Sequence, residues 1–419
     1  MSEVKQQRKL LKTIKNSILN NEEKGKEFSF STGSTLLDLV VGGGLMEGYP
    51  SGKIINVVGD KSTGKTFLAC EIVASAAKKY DGKLKWVYDD AESGFTFDTK
   101  TLYGVEIMPN DESKRIQSNT IESLYCHVRD FLEGLGQDEL GIYIVDSLDG
   151  ITSTEMEERG QDRYDNYKKG KDYEKGSWQT QKQKFLSQEF FPGLANLIEQ
   201  KNALLIIISQ VRENLDGGIF SKKHKRSGGK AMDFYAHTCL WLSTLSKIEK
   251  RKRVVGVVVK AKAEKSKTKR PYRECNFSLI FDYGLDDIGS NVDFLFGLRT
   301  DLGKLKEKIA EKIRWDEKDK LTIKSAKQFL IDSDLIKIYQ DEVQKNINLE
   351  KVHEWIEKDS NRKKIWIDKF GAKDTEFNRD SLIAYIEFNG LQKELRERVK
   401  QKWEEIEDEI SSKREPKYG

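Results

Sequence analysis

The chain has 419 residues, of which 37% are apolar and 34% charged, and a formal net charge of +4. This length accommodates one large domain and a smaller one, while so small a positive excess excludes a whole-molecule polycation, so that any grip on nucleic acid has to come from local clusters. Scattered Cys70, Cys126, Cys239 and Cys275 read as small buried hydrophobes in a reducing compartment, and no apolar run approaches a membrane span or a signal-peptide core, so a cytoplasmic protein without a membrane partner is expected.

Residues 4–20 place Leu10, Leu11, Ile14, Ile18 and Leu19 at helical spacing among lysines and arginines. The segment NEEKGKEF detaches this amphipathic helix from the rest of the chain, so residues 1–30 read as an oligomerisation helix and linker whose stripe is buried on a neighbouring subunit. From residue 31 short apolar runs alternate with helical patterns. KIINVV (53–58), KWVYD (85–89), GIYIVD (141–146), ALLIIIS (203–209), CLWLSTL (239–245), RVVGVVVKAKAE (253–264) and FSLIFDY (277–283) are expected strands. Helices are expected over Thr66–Lys79, Ile121–Leu135 and Phe185–Lys201. Nearly continuous apolar runs are what parallel strands covered on both faces require, so residues 31–291 read as an α/β core around a mostly parallel sheet. Beyond about residue 292 charged helical stretches dominate, among them Lys304–Ile313, Ala326–Leu330 and Leu391–Ile410. They predict a smaller, mainly helical domain over 292–419.

Between the first strand and the first helix lies GDKSTGKT, Gly59 to Thr66, which fits G-x-x-x-x-G-K-[ST] at every fixed position. Glycines let the N–H groups of Gly59, Asp60, Lys61, Ser62, Thr63 and Gly64 curl around phosphates, and the helix N-terminus adds partial positive charge. Lys65 reaches the β and γ oxygens and Thr66 offers a hydroxyl to Mg²⁺, so ATP and Mg²⁺ are the expected ligands. The buried strand GIYIVD ends in Asp146, the Walker B position, a second metal-side oxygen donor. Asp149, three residues on, reads as a loop-capping residue. Hydrolysis also needs a base, and Asp89, Asp90 and Glu92 at the end of WVYDDAES all have the right chemistry. Spacing alone does not choose among the three.

One further stretch, DGGIFSKKHKRSGG (216–229), brackets Lys222, Lys223, Lys225, Arg226 and an Ile219-Phe220 tip with two glycine pairs. Its charge favours an anionic partner.

Taken together, these segments resemble the RecA family of recombinases. STGSTLLDLVVGGGL (31–45) is similar to that family's approach to its P-loop. DAE at 90–92 matches the motif whose glutamate is the catalytic base, which selects Glu92. LLIIISQVR (204–212) matches the strand ending in the γ-phosphate-sensing glutamine, which selects Gln210. GGKAMDFYA (228–236) resembles the run closing the second DNA-binding loop, and KSKTKRPYRECNF (265–277) keeps a K-x-K-x-x-x-P spacing. In the family those two lysines reach the neighbour's ATP, a role that falls to Lys265 and Lys267.

The resemblance covers roughly residues 31–290, and the high charge and enlarged insertions look like phage-type recombinases. It implies a RecA-like P-loop core and a DNA-dependent ATPase that forms helical filaments on single-stranded DNA and pairs it with homologous double-stranded DNA. Single-strand-binding or loader proteins are further candidate partners, in a bacterial or phage-infected cytoplasm. Arg212, the apolar candidates Leu215 and Ile219, Lys222, Lys223, Lys225, Arg226, Gly228 and Gly229 would face DNA. The first DNA loop falls within 157–178, which is longer than usual and holds Trp178 as a candidate base-stacking residue. The adenine-stacking tyrosine position is occupied by Thr99, with Phe97 nearby. A ring-forming motor of the same fold and a recombination-accessory ATPase are the alternatives. A ring motor calls for a larger N-terminal collar and an arginine finger in place of Lys265 and Lys267. Lys363 and Lys364 mark the C-terminal region as a candidate site for double-stranded DNA.

Overall fold

The computed structural model describes residues 28–169, 180–213, 224–226, 228–296, 347–348, 376–377, 379–388 and 390–412. The N-terminal helix, Trp178, Lys304–Ile313, Ala326–Leu330, Lys363 and Lys364 lie outside them. After a small ribbon of β1 (Ser29–Phe30) and β2 (Tyr49–Pro50) come β3 (Lys53–Gly59), β4 (Leu84–Asp90), β5 (Leu140–Asp146) and β6 (Ala203–Glu213). β7 (His224–Arg226), β8 (Thr238–Lys250), β9 (Arg253–Ser266), β10 (Glu274–Ile280) and β11 (Gly284–Asp286) complete the series. Across the main sheet the order is β11-β10-β9-β8-β3-β6-β5-β4, with β7 paired to β6. The strands from β8 to β4 run parallel, and β9, β10 and β11 extend the sheet antiparallel.

Alternation along each strand splits the core in two. Ile55, Val57, Ile142, Ile144, Leu204, Ile206 and Ile208 face the helix Lys65–Lys79, which presents Leu68, Ile72, Val73 and Ala76. Ile54, Tyr143, Val145, Leu205 and Ile207 face the opposite layer, where helix Ile121–Gly134 buries Ile121, Leu124, Val128 and Leu132. A reciprocal Thr120–Ser123 capping box starts that helix. Both faces are covered, so apolar residues stand at consecutive positions.

Three expectations need correction. The stretch expected as one helix over Phe185–Lys201 is Thr180–Phe185, a wider turn at Leu186–Phe190, and Phe191–Gln200. Pro192 has no N–H to donate to the preceding turn, so regular pairing cannot run through it. The strand expected to reach Tyr283 ends at Ile280, where Tyr283 N–H bonds Ile280 O (3.1 Å) in a tight turn. Three cysteines are buried, but Cys126 sits on the exposed side of its helix.

Helix Gln392–Glu409 buries Leu395, Val399 and Trp403, one helical stripe, and packs on helices Thr35–Gly42 and Asp287–Phe296. Trp403 lies 6.0 Å from Phe294, and Arg379 grips Asp293 with two bonds of 2.6 and 3.0 Å.

Candidate active site

Four parallel strands end at one edge, where Gly59, Asp90, Asp146 and Gln210 stand. Register places Gly59 of β3 opposite Gln210 of β6, and Asp90 of β4 opposite Asp146 of β5. Apolar strands anchored in a two-sided core thus deliver the phosphate turn, the Walker B carboxylate and the candidate sensor side by side.

Gly64 caps the helix after the phosphate turn with φ of +83°, a left-handed conformation open to glycine at little cost. Asp60, Lys61 and Ser62 are exposed, while Thr63 is buried and donates to Asp60 O at 2.9 Å. Lys65 Nζ donates to Gly59 O (2.9 Å) and Asp60 O (2.8 Å), which sets its charge inside the turn. Burial pushes the Lys65 ammonium pKa down, against the attraction of Asp146 and Glu92.

Thr66 Oγ1 donates to Asp146 Oδ2 at 2.7 Å, and the Tyr88 hydroxyl donates to the same oxygen at 2.5 Å. Burial raises the Asp146 pKa, and these two donors oppose the rise. Among the described residues no group of three His, Cys, Asp or Glu side chains is assembled around a metal. A hydroxyl and a carboxylate are nonetheless hard oxygen donors, and two protein oxygens suit a Mg²⁺ held otherwise by phosphate and water.

Geometry separates the three carboxylates that spacing left open. Asp89 is fully buried and accepts from Ser118 N (2.8 Å), Ser118 Oγ (2.5 Å) and Tyr143 OH (2.8 Å). Asp90 holds the next turn through Gly94 N (3.2 Å) and Phe95 N (2.9 Å). Glu92 is exposed, and its Oε1 accepts from Gln210 Nε2 at 2.7 Å and from Ser147 Oγ. Asp149 takes the Gln210 backbone N–H at 2.8 Å, fixing where that strand leaves the sheet. Ser147 and Tyr88 were not singled out from sequence. Ser147 directly follows Asp146, which was a usable signal, whereas the Tyr88 contact joins two strands and has no local signature.

Beyond Gln210 the chain passes into Arg212, which pairs with Lys225 across β6 and β7. Leu215, Ile219, Lys222 and Lys223 lie outside the described residues. Two expectations change here. Arg226 turns inward: its side chain is 7% exposed and bonds Asn56, Asp233 and Cys239 Sγ (3.3 Å), so in this arrangement it braces β7 against β3 and does not present its charge to a phosphate. Gly228 is buried with φ of +88°, and a Cβ there would lie 3.0 Å from Met232 Cβ, so its backbone geometry already calls for glycine. Gly229 remains partly open.

Lys265 Nζ donates to Phe234 O (3.0 Å) and Asp233 O, and Lys267 Nζ donates to Phe234 O (3.3 Å). Both ammonium groups thus cluster at the end of helix Gly229–Tyr235, beside the 71%-exposed Phe234. Their hydrogen bonds go to this helix end and not to Lys65, Glu92 or Gln210 of their own chain. At the adenine position, Thr99 is buried with Oγ1 accepting from Ile107 N (3.0 Å), whereas Phe97 is exposed and packs edge-on against Phe67 at 4.7 Å.

Comparison with known proteins bears on this arrangement. The sequence pattern of the RecA N-terminal domain matches residues 6–119 and 169–286, which include the phosphate turn, Glu92, Gln210, Lys265 and Lys267 but not Asp146. The chain is 30% identical over 269 residues to Protein RecA of Mycoplasma mycoides subsp. mycoides SC, covering 64% of this chain and 70% of that protein. It is 25% identical over 265 residues to Protein RecA of Ehrlichia canis, covering 63% and 67%, and 30% identical over 264 residues to Protein RecA of Cereibacter sphaeroides, covering 63% and 69%.

Proposed function

The chain belongs to the RecA family, and from that premise we propose that it is a DNA-dependent ATPase that assembles on single-stranded DNA as a helical filament and catalyses homologous pairing and strand exchange. One observation carries the reading. Lys65, Asp146 and the Glu92–Gln210 pair converge on one sheet edge, and β6 runs from Gln210 straight into Arg212 and the β6–β7 pairing.

In this reading the turn Gly59–Gly64 and Lys65 bind the triphosphate of ATP. Thr66 and Asp146 would hold Mg²⁺, which would supply positive charge to offset that of the phosphates. Glu92 removes a proton from the attacking water, while Gln210 and Ser147 hold its carboxylate until nucleotide binds. When γ-phosphate is present, the Gln210 amide exchanges Glu92 for a phosphate oxygen. That shift is transmitted along β6 to the loop that grips DNA, an order–disorder switch of the nucleotide-sensing kind. Lys265 and Lys267, remote from their own chain's Glu92, serve the nucleotide of a neighbouring subunit. Arg212, Lys222, Lys223 and Lys225 add salt-sensitive attraction, Leu215 or Ile219 wedges between bases, and base pairing supplies the sequence specificity. Residues 1–30 act as the assembly helix, 31–291 as the motor, and 292–419 as a helical appendage docked through Gln392–Glu409. The setting is a cytoplasm, with loader or single-strand-binding proteins as candidate partners.

The test is steady-state ATP hydrolysis with and without single-stranded DNA. Turnover rises strongly with DNA and is lost in Lys65→Ala. Hydrolysis indifferent to DNA would overturn the reading.

A further inference from the structure

Arg273 stands just before β10, beyond the segment that carries Lys265 and Lys267. It is 4% exposed, yet Nε, Nη1 and Nη2 are all buried without a hydrogen-bond partner among the described residues. A guanidinium carries five N–H donors and stays charged at any physiological pH. Buried and unsatisfied, it is among the most costly groups a core can hold, because the lost hydration is not replaced. An acceptor with two or more oxygens, such as a phosphate, fits the guanidinium fork bidentately.

The surroundings restrict what that acceptor is. A Cβ built on Gly43 would lie 2.3 Å from Arg273 Nη1 and 2.9 Å from Lys269 Cβ, so the guanidinium is pressed against the bare backbone of the Gly43–Gly44 turn. Both glycines have positive φ, and Gly44 faces open space, so the turn forms a thin cover between Arg273 and solvent. Lys269 Nζ donates to Gly43 O at 3.1 Å and holds that cover from its other side. Arg270 is committed to Glu407 of the C-terminal helix at 2.9 Å. Glu407 is the acidic group whose field reaches Arg273, but its hydrogen bond goes to Arg270. Thr268 Oγ1 on the same segment is also buried and unpartnered among the described residues. Lys269 and the unsatisfied Arg273 thus lie against the glycine turn, beside the Arg270–Glu407 pair.

We propose that Arg273, covered by the Gly43–Gly44 turn and flanked by Lys269 and Arg270, is a binding site for a phosphate-class oxyanion, separate from the P-loop. The anion joins three parts of the fold: the turn after helix Thr35–Gly42, the segment leading into β10, and the C-terminal helix through the Arg270–Glu407 pair. Free inorganic phosphate has the tetrahedral oxygens to take Nη1 and Nη2 together. A carboxylate from a second copy of the chain offers the same bidentate chemistry, and the measurement separates the two sources.

Thermal unfolding of the full chain without nucleotide is followed across a titration with inorganic phosphate into the millimolar range, at ionic strength fixed with chloride. The Lys65→Ala background removes the phosphate response of the P-loop. The midpoint rises by about 1–2 °C in that background, as ligand linkage gives for phosphate at about ten times its Kd. Arg273→Gln abolishes the rise. Arg273→Met, which removes the uncompensated charge but keeps the apolar stem, raises the midpoint in chloride alone and leaves it indifferent to phosphate. Arg273→Lys keeps the charge but loses the fork, and its response falls at least about tenfold in apparent affinity. The response is independent of protein concentration. A midpoint that rises with protein concentration and ignores phosphate would assign the acceptor to a second copy and overturn the free-anion site. A phosphate response that survives Arg273→Gln, or an Arg273→Met variant less stable than the parent in chloride, would also overturn it.

Discussion

Glu92 differs from its acidic neighbours in what it is left free to do. Asp89 is enclosed by Ser118 and Tyr143 and Asp90 is spent on a turn, whereas Glu92 is exposed and its carboxylate accepts from Gln210 and Ser147, groups that can let go. Replacing it by Gln keeps the hydrogen bonds and removes the basicity. Glu92→Gln is expected to lower kcat for ATP by about 10²–10⁴-fold while nucleotide affinity stays within a few-fold, measured by single-turnover hydrolysis and equilibrium binding. A second residue-scale prediction concerns Glu71, on the P-loop helix. Burial raises its carboxyl from the ordinary 4.5 to about 7, and its Oε2 is buried without a partner among the described residues. A carboxyl raised on folding binds more protons in the native state between those two values, so its contribution to stability is full below pH 4.5 and is lost as pH rises through about 7. Glu71→Gln should therefore flatten the fall in urea midpoint across that window, and an unchanged slope would show that Glu71 does not carry it. The phosphate turn and Asp146 were legible in sequence because the motif is local and its flanks were a strand and a helix. The choice of Glu92 came from resemblance alone. Its physical reason is the commitment of Asp89 and Asp90 elsewhere, and the Asp89 contacts with Ser118 and Tyr143 are too distant in sequence to leave a local trace.

At the scale of elements, strands with apolar residues on both faces were the easiest to read, because two-sided burial leaves an unbroken run in β3, β5 and β6. Less legible were local breaks, such as the one before Pro192, whose ring removes an N–H, and the turn closed by Tyr283 N–H on Ile280 O. The inward turn of Arg226 was hidden altogether, since a basic run reads as surface until Asn56 and Asp233 are seen beside it. Helix Gln392–Glu409 was predicted as a helix, but its docking on Thr35–Gly42 joins opposite ends of the described chain, a closure that no local pattern encodes. Trp403 is the largest side chain of its buried stripe. Trp403→Ala is expected to destabilise the core by about 3–5 kcal/mol, read as a lower urea midpoint. A second element-scale prediction uses Lys267, whose ammonium sits on Phe234 O away from its own Glu92. Lys267→Ala alone should lose hydrolysis, and mixing it with Glu92→Gln should restore part of it, because a shared site can then draw its lysine from one protomer and its glutamate from the other. Mixtures with no recovery would place Lys267 outside the interface.

For the whole molecule, the lysine cluster bonds the end of helix Gly229–Tyr235, while Glu92 and Gln210 pair at the nucleotide edge, so under the proposed function the two would meet only between protomers that repeat head to tail. A heterologous contact of that sort either closes into a ring or continues as a helix. Family membership and the paired lysines favour the open helix. The most direct measurement is negative-stain electron microscopy of the full chain with single-stranded DNA and a slowly hydrolysed ATP analogue. Continuous helical filaments that follow the DNA and vanish without nucleotide are predicted, and closed hexameric rings under the same conditions would contradict the account.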